Sequence, residues 1–149
     1  MVRAYGTCDT ARMAAGDVHG DDTPAPSPAE VVEQWQQRAW GDCDLSVVAE
    51  LVAEPFVRHG MTGSAKRTHA ELQHDLRQYQ KALGKPVITV HDRVVDGDKV
   101  WSRTTMRGAN LQTGEPRTID FLQIHRVVDG RIVEVWTMHA TDVHWHDLP

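Results

Sequence analysis

Cysteine is scarce in this 149-residue chain: Cys8 and Cys43 stand alone and form no motif. That excludes a disulfide-dense secreted scaffold and a cysteine-built zinc site, and a reducing cytoplasm suits two such thiols better than a bridge. Basic runs are also missing. Sixteen Lys+Arg face twenty-one Asp+Glu, for a formal net charge of -5, which argues against nucleic acid as a partner. No apolar stretch is long enough to span a bilayer, and Met1 to Ala15 lacks the continuous apolar core of a secretory signal. Large apolar groups are sparse through residue 27, where Thr23-Pro-Ala-Pro-Ser-Pro28 follows. Such a stretch buries too little surface to offset the entropy of ordering, so residues 1–27 are expected to form a flexible tail.

What is present is an ordinary globular composition, 40% hydrophobic and 25% charged, with nine histidines as its unusual feature. The length suits one domain with a sizeable core, expected over residues 28–149. Ser27-Pro28-Ala29-Glu30 is a capping box with proline at the first helical position. Val31, Val32, Trp35 and Ala39 then recur at helical spacing. A second short helix is expected from Asp44 to Glu54-Pro55, where proline stops it. Phe56-Val57-Arg58-His59 reads as a brief extended segment interrupted by Gly60 and Gly63. A second capping box, Thr68-His69-Ala70-Glu71, opens a helix striped by Leu72, Leu76, Tyr79 and Leu83, which Gly84 and Pro86 end.

Beyond residue 86 the period becomes two. Four strands are expected, 87–95, 99–109, 117–128 and 131–139, with hairpin turns at Asp96-Gly97-Asp98 and Asp129-Gly130. Three helices followed by an antiparallel meander indicate an α+β fold, with the helices packed on one face of the sheet.

Three stretches carry a resemblance to a known family. They are Trp35 through Asp42 to Phe56-Val-Arg-His59, then Gly97-Asp-Lys-Val-Trp-Ser-Arg103 with Gly108, and Ile124-His-Arg-Val-Val-Asp-Gly-Arg-Ile-Val-Glu-Val-Trp136. From residue 28 to about 140 the chain resembles the nuclear-transport-factor-2-like superfamily, and within it the SnoaL-like polyketide cyclases and ketosteroid-isomerase-like proteins. The resemblance implies a cone-shaped α+β barrel in which a curved sheet and three helices enclose one apolar pocket. It says little about the reaction, because one fold hosts many chemistries.

The resemblance also implies a site. Val133, Val135, Thr137 and His139 on the last strand would point inward, as would Ile119, Phe121, Gln123 and His125 on the strand before it. Ser102, Thr104, Met106 and Gly108 would share that face from the next strand. His59 falls where the isomerases place their proton-abstracting aspartate, and an imidazole can take and return a proton near neutrality. A simple hydrogen bond to a loop carbonyl near Gly60 is the alternative. Gln123 falls where they place a hydrogen-bonding acid; its amide can donate to a carbonyl or enolate oxygen, or simply pair with a side chain of another strand. Trp35 falls at the helix-one tyrosine and would pack against a ring-shaped ligand, with plain core on an amphipathic helix as the bland alternative. His139 would supply a second imidazole, acting as acid to His59 as base, or be a satisfied histidine at the pocket mouth. Trp35, Thr104, Met106, Phe121, Val135 and Thr137 would bind substrate.

The departures from the family pattern bear equally on function. Thr137 stands where the cyclases and epoxide hydrolases keep an aspartate, and Thr104 and Met106 stand where the hydrolases use further charged groups. Asp120 has the wrong strand parity to replace them. The expectation is therefore a cofactor-independent cyclase or isomerase acting on a hydrophobic carbonyl compound. A non-catalytic binding domain, or a cofactor-free hydroxylase or dehydratase, remains open beside it. No metal site is expected; His144-Trp145-His146 reads as surface or lid. Trp101, Leu122, Ile124, Trp136 and Met138 share the outward sheet face, where relatives pair, so a homodimer is expected. Arg103 and Arg107 on that face read as ion-paired surface groups.

Overall fold

The computed structural model describes residues 23–143 and Trp145. Of the tail expected over residues 1–27, all but 23–27 lies outside the described residues, as do His144 and His146.

Helix α1 (Pro28–Gln34) starts on the expected capping box: the Glu30 amide donates to Ser27 Oγ, and the Ser27 amide donates to the Glu30 carboxylate. It runs without a break into a π-wound segment, Trp35–Gly41, closed by the Asp42 amide donating to the Gln37 carbonyl five residues back. Winding at i→i+5 is uncommon and frequent near functional sites. Here it rotates Trp40 toward the side of the helix that Trp35 occupies. Helix α2 is shorter than expected, Val47–Leu51, because Val52 to Glu54 already belong to a strand. Helix α3 (His69–Leu83) starts on the second capping box and buries Leu72, Leu76 and Leu83.

The sheet has six strands where the sequence suggested four. The segment at Phe56 extends into β1 (Val52–Gly60) and forms a hairpin with β2 (Gly63–Arg67). β3 (Val87–Asp96), β4 (Lys99–Ala109), β5 (Pro116–Val128) and β6 (Arg131–Thr141) form the expected meander. The order is β2-β1-β6-β5-β4-β3, and β1 joins β6 in parallel, so the sheet is antiparallel except at that seam. The sheet is curved and does not close. Asp129 and Gly130 both have positive φ, 49° and 72°, as a two-residue hairpin loop with right-handed twist requires.

The core lies between sheet and helices, built from Val31, Val32, Val48, Leu51, Phe56, Leu76, Val100 and Ile132. A satellite cluster of Leu83, Met106, Ile119 and Phe121 sits under the end of α3. There α3 touches β4 so closely that a Cβ on Gly108 would lie 2.0 Å from the Leu83 carbonyl oxygen. Only glycine permits that approach. No helix among the described residues is long and apolar enough to cross a membrane.

Candidate functional site

The concave face of the sheet and the helices form a cavity of about 60 Å³. Its walls are mostly apolar: Trp35 and Trp40 from the first helix, Val52 and Phe56 from β1, Leu72, Leu76 and Tyr79 from α3, Phe121 from β5, Ile132 and Val135 from β6. Trp40 meets Tyr79 edge-on at 5.1 Å between ring centroids, the favoured aromatic geometry. Into this lining project five polar side chains, Arg58, Asp75, Gln123, His125 and Thr137. A concave apolar site with a few convergent polar groups is the usual form of a small-molecule site.

His125 is the most distinctive of the five. Its side chain is fully buried, and its Nδ1 has no hydrogen-bond partner among the described residues. Burial, reinforced by the positive charge of Arg93, pushes its pKa down to about 4, so the ring is neutral at working pH. Gln123 lies two residues away on the same face of β5. Its Nε2 donates to Thr137 Oγ1 at 3.2 Å across the strand pair, and a primary amide keeps a second N–H to offer. At the mouth, Arg67 Nη2 donates to Asp75 Oδ2 at 2.5 Å, and Arg58 Nη1 lies 3.8 Å from the same oxygen.

The sequence-based site residues divide. Trp35, Phe121, Gln123, Val135 and Thr137 line the cavity together. Thr104 and Met106 face inward but stand behind the wall. The Thr104 hydroxyl receives the Gln36 amide at 3.5 Å, and Met106 packs with Leu83 and Ile119. His139 is exposed and lies outside the cavity, on the rim with Gly60 and Met61, 5.8 Å from the Phe121 ring.

His59 is not in the cavity. Phe56 is buried, so strand alternation sends Arg58 inward and His59 outward. There Nδ1 meets Ser64 Oγ at 2.6 Å, Nε2 meets Glu134 Oε1 at 2.8 Å, and the ring stacks on Trp136. His59 and then Arg126 hold the Glu134 carboxyl below its ordinary pKa. The loop-carbonyl alternative fails too, since both ring nitrogens have side-chain partners. The expected His59–His139 pair is therefore not assembled. A register shift after Arg126 likewise gives the inward place expected of Val133 to Ile132.

Among the cavity residues, Arg58, Asp75 and Trp40 escaped the sequence reading, the first two with a usable signal, and His125 was placed inward but given no role. Arg58 shares the parity of Phe56. His125 shares the face of Phe121 and Gln123. Asp75 falls three residues after Leu72, a charge set into the apolar stripe of α3. Trp40 had none, because only the π winding brings it round. Asp120 is buried with the wrong parity, as expected, and accepts from Thr105 Oγ1 at 2.5 Å on the outer face. Arg103 there pairs with Asp92 at 2.6 Å. Among the described residues no group of three or more His, Cys, Asp or Glu could hold a metal ion.

Comparison with known proteins adds a family. Residues 32–135, well over half of the chain, match the SnoaL-like domain. The fold is similar to that of IdmH from Streptomyces antibioticus, a candidate polyketide cyclase. The identity is 29%, the TM-score 0.64, and the match covers 78% of this chain and 93% of that one. It is similar to AclR from Streptomyces galilaeus, a candidate hydroxylase, at 21% identity and TM-score 0.64 over 76% of this chain and 91% of that one. A candidate isomerase from Bacillus subtilis shares the fold at 17% identity and TM-score 0.65, covering 76% of this chain and 86% of that one. No curated protein matches the chain.

The buried imidazole gives stability a definite pH dependence. His125 titrates near 4 when folded and near 6.5 when unfolded, so between those values the unfolded state binds more protons. Its contribution is fully present above about 6.5 and is lost as pH falls toward 4, by about 3 kcal/mol in all. Urea midpoints measured from pH 7 to pH 4.5 should fall more steeply for the wild type than for His125→Leu. Parallel curves would contradict a buried neutral His125.

Proposed function

Because this chain belongs to the SnoaL-like domain family, we propose that it is a cofactor-independent enzyme of cyclase or isomerase type. In this reading it acts on a hydrophobic, carbonyl-bearing small molecule. One observation carries the proposal: a fully buried imidazole, its Nδ1 unpaired among the described residues, stands in an aromatic cavity beside the amide of Gln123. The similarity to IdmH supports the polyketide class of substrate.

The chemistry follows from the environment. An enolisable substrate stacks between the aromatic walls with its acidic carbon toward His125. Neutral imidazole is a weak base there, since burial disfavours the imidazolium. An enolate forming beside it offsets that penalty, because opposite charges attract strongly in a low-dielectric site. Gln123 donates its second N–H to the enolate oxygen, where charge develops. The imidazolium then returns the proton to a different carbon, or protonates the alkoxide formed when the enolate closes a ring.

A second reading is a binding domain of the same fold. It is favoured by Asp75, the carboxylate in the cavity wall, being tied to arginine. Product mass separates the possibilities on incubation with an aryl β-diketone or a linear poly-β-ketone. Isomerisation or aldol closure leaves the mass unchanged while the product differs in retention. Dehydration loses water, hydroxylation gains oxygen, and a binding domain returns its ligand intact.

We also propose that the protein pairs with a second copy through the outer face of the sheet. Val94, Trp101, Leu122 and Met138 are exposed there around a shallow apolar depression that Ile124 and Trp136 also line. A patch of this kind is costly to leave in water.

For a substrate that is turned over, His125→Asn should lower kcat by about 10²- to 10⁴-fold, the usual contribution of a general base. KM should change much less, and the circular dichroism spectrum should stay native. Turnover unchanged in that variant would remove His125 as the base. Sedimentation should give a dimer for the wild type and a monomer for Trp101→Glu; a wild-type monomer at micromolar concentration would rule out the pairing.

A further inference from the structure

Charge at the cavity mouth is unbalanced. A second hollow, lined by Arg58, Gly60, Met61, Thr62, Gly63, Ala65, Arg67, Thr137 and His139, adjoins the main cavity and shares Arg58 and Thr137 with it. Across the two linings stand two guanidinium groups, Arg58 and Arg67, against one carboxylate, Asp75. The hydrogen bond of Arg67 to Asp75 Oδ2 at 2.5 Å commits that carboxylate. Arg58, at 3.8 Å from the same oxygen, is beyond hydrogen-bond distance of it. Asp75 is also the one acidic group paired with Arg58 among the described residues. About one positive charge is thus left over, on a side chain 35% exposed that lies on the border of the two hollows.

The alternation that sends His59 out is what brings Arg58 in. Its alkyl stem can lie along apolar wall while its planar head stays at the wetter mouth. A guanidinium in that position presents a fork of N–H donors that fits a carboxylate with two parallel bonds. Resting on the reading of the cavity as a substrate site, we infer that Arg58 selects organic acids: ligands with a ring-sized apolar body and one carboxylate. The body occupies the cavity against Trp35 and the packed pair Trp40 and Phe121, and the carboxylate lies on Arg58 at the mouth. A monoanion fits better than a dianion. Only about one positive charge is uncompensated, and Asp75 close by repels a second negative charge.

The test uses three probes of one shape, 2-naphthylacetic acid, its methyl ester and 2-naphthyl phosphate, followed through quenching of the protein's tryptophan fluorescence at pH 7. The acid should bind the wild type about tenfold or more tighter than the ester, the size expected of a charge-assisted bond pair. Arg58→Met should remove that preference by weakening the acid alone, and Arg58→Lys should keep part of it. Ester affinity retained in Arg58→Met shows that the variant still folds and holds its cavity. Equal affinity of acid and ester in the wild type overturns the selection of acids and leaves the cavity as a ligand site. Phosphate binding tighter than the acid overturns the assignment to a monoanion. Failure of acid and ester alike to bind overturns both this inference and the reading of the cavity on which it rests.

Discussion

The end of α3 lies so close to β4 that the Leu83 carbonyl leaves room only for glycine at residue 108, and the wall that α3 gives the cavity depends on that approach. Any side chain at residue 108 would force the helix away from the sheet. α3 supplies Leu72, Asp75, Leu76 and Tyr79 to the cavity wall, so a displaced helix would open the cavity to water. Gly84 follows at once with φ 63°, letting the chain leave the helix and reach β3. The π turn places Trp35 and Trp40 together in the cavity wall, with Trp40 packed against Phe121 at 6.2 Å between ring centroids. Enclosure is what gives the polar groups their character. In water His125 would be an ordinary imidazole; walled in, it is held neutral, with one nitrogen unpaired among the described residues.

The two ends of the cavity therefore differ in kind. The inner part, around His125 and Gln123, is weakly polar and carries no formal charge at neutral pH. The mouth, around Arg58, Arg67 and Asp75, carries formal charge in partial contact with water. An uncharged inner end suits a reaction that creates and then discharges an enolate, since preorganised donors act most strongly away from water. A charged mouth suits recognition of a group that takes no part in the chemistry.

Much of the fold was legible in the sequence because its signals are local. Both capping boxes, the Asp129-Gly130 turn and the two-residue period after residue 86 need only a few neighbours to be read, and each lies where expected. The parallel seam between β1 and β6 was not legible, since it joins segments some seventy residues apart that carry no pairing signal of their own. The site was legible only where parity could be fixed. On β5 the run Phe121, Gln123, His125 was placed correctly, although the histidine at its end was not singled out. On β1 the family resemblance pointed to His59, whereas the burial of Phe56 decides that Arg58 faces the cavity. The π turn is a departure from helical spacing, so no reading at 3.6 residues per turn could bring Trp40 to the wall.

The account stands or falls on where a ligand binds. A crystal structure of the protein with an aryl β-diketone tests it most directly. It should show the aromatic ring between Trp35 and Phe121, and a carbonyl oxygen within hydrogen-bond distance of Gln123 Nε2 or His125. Density for the ligand only on the outer sheet face, or a cavity too narrow to admit it at saturating concentration, would contradict the account.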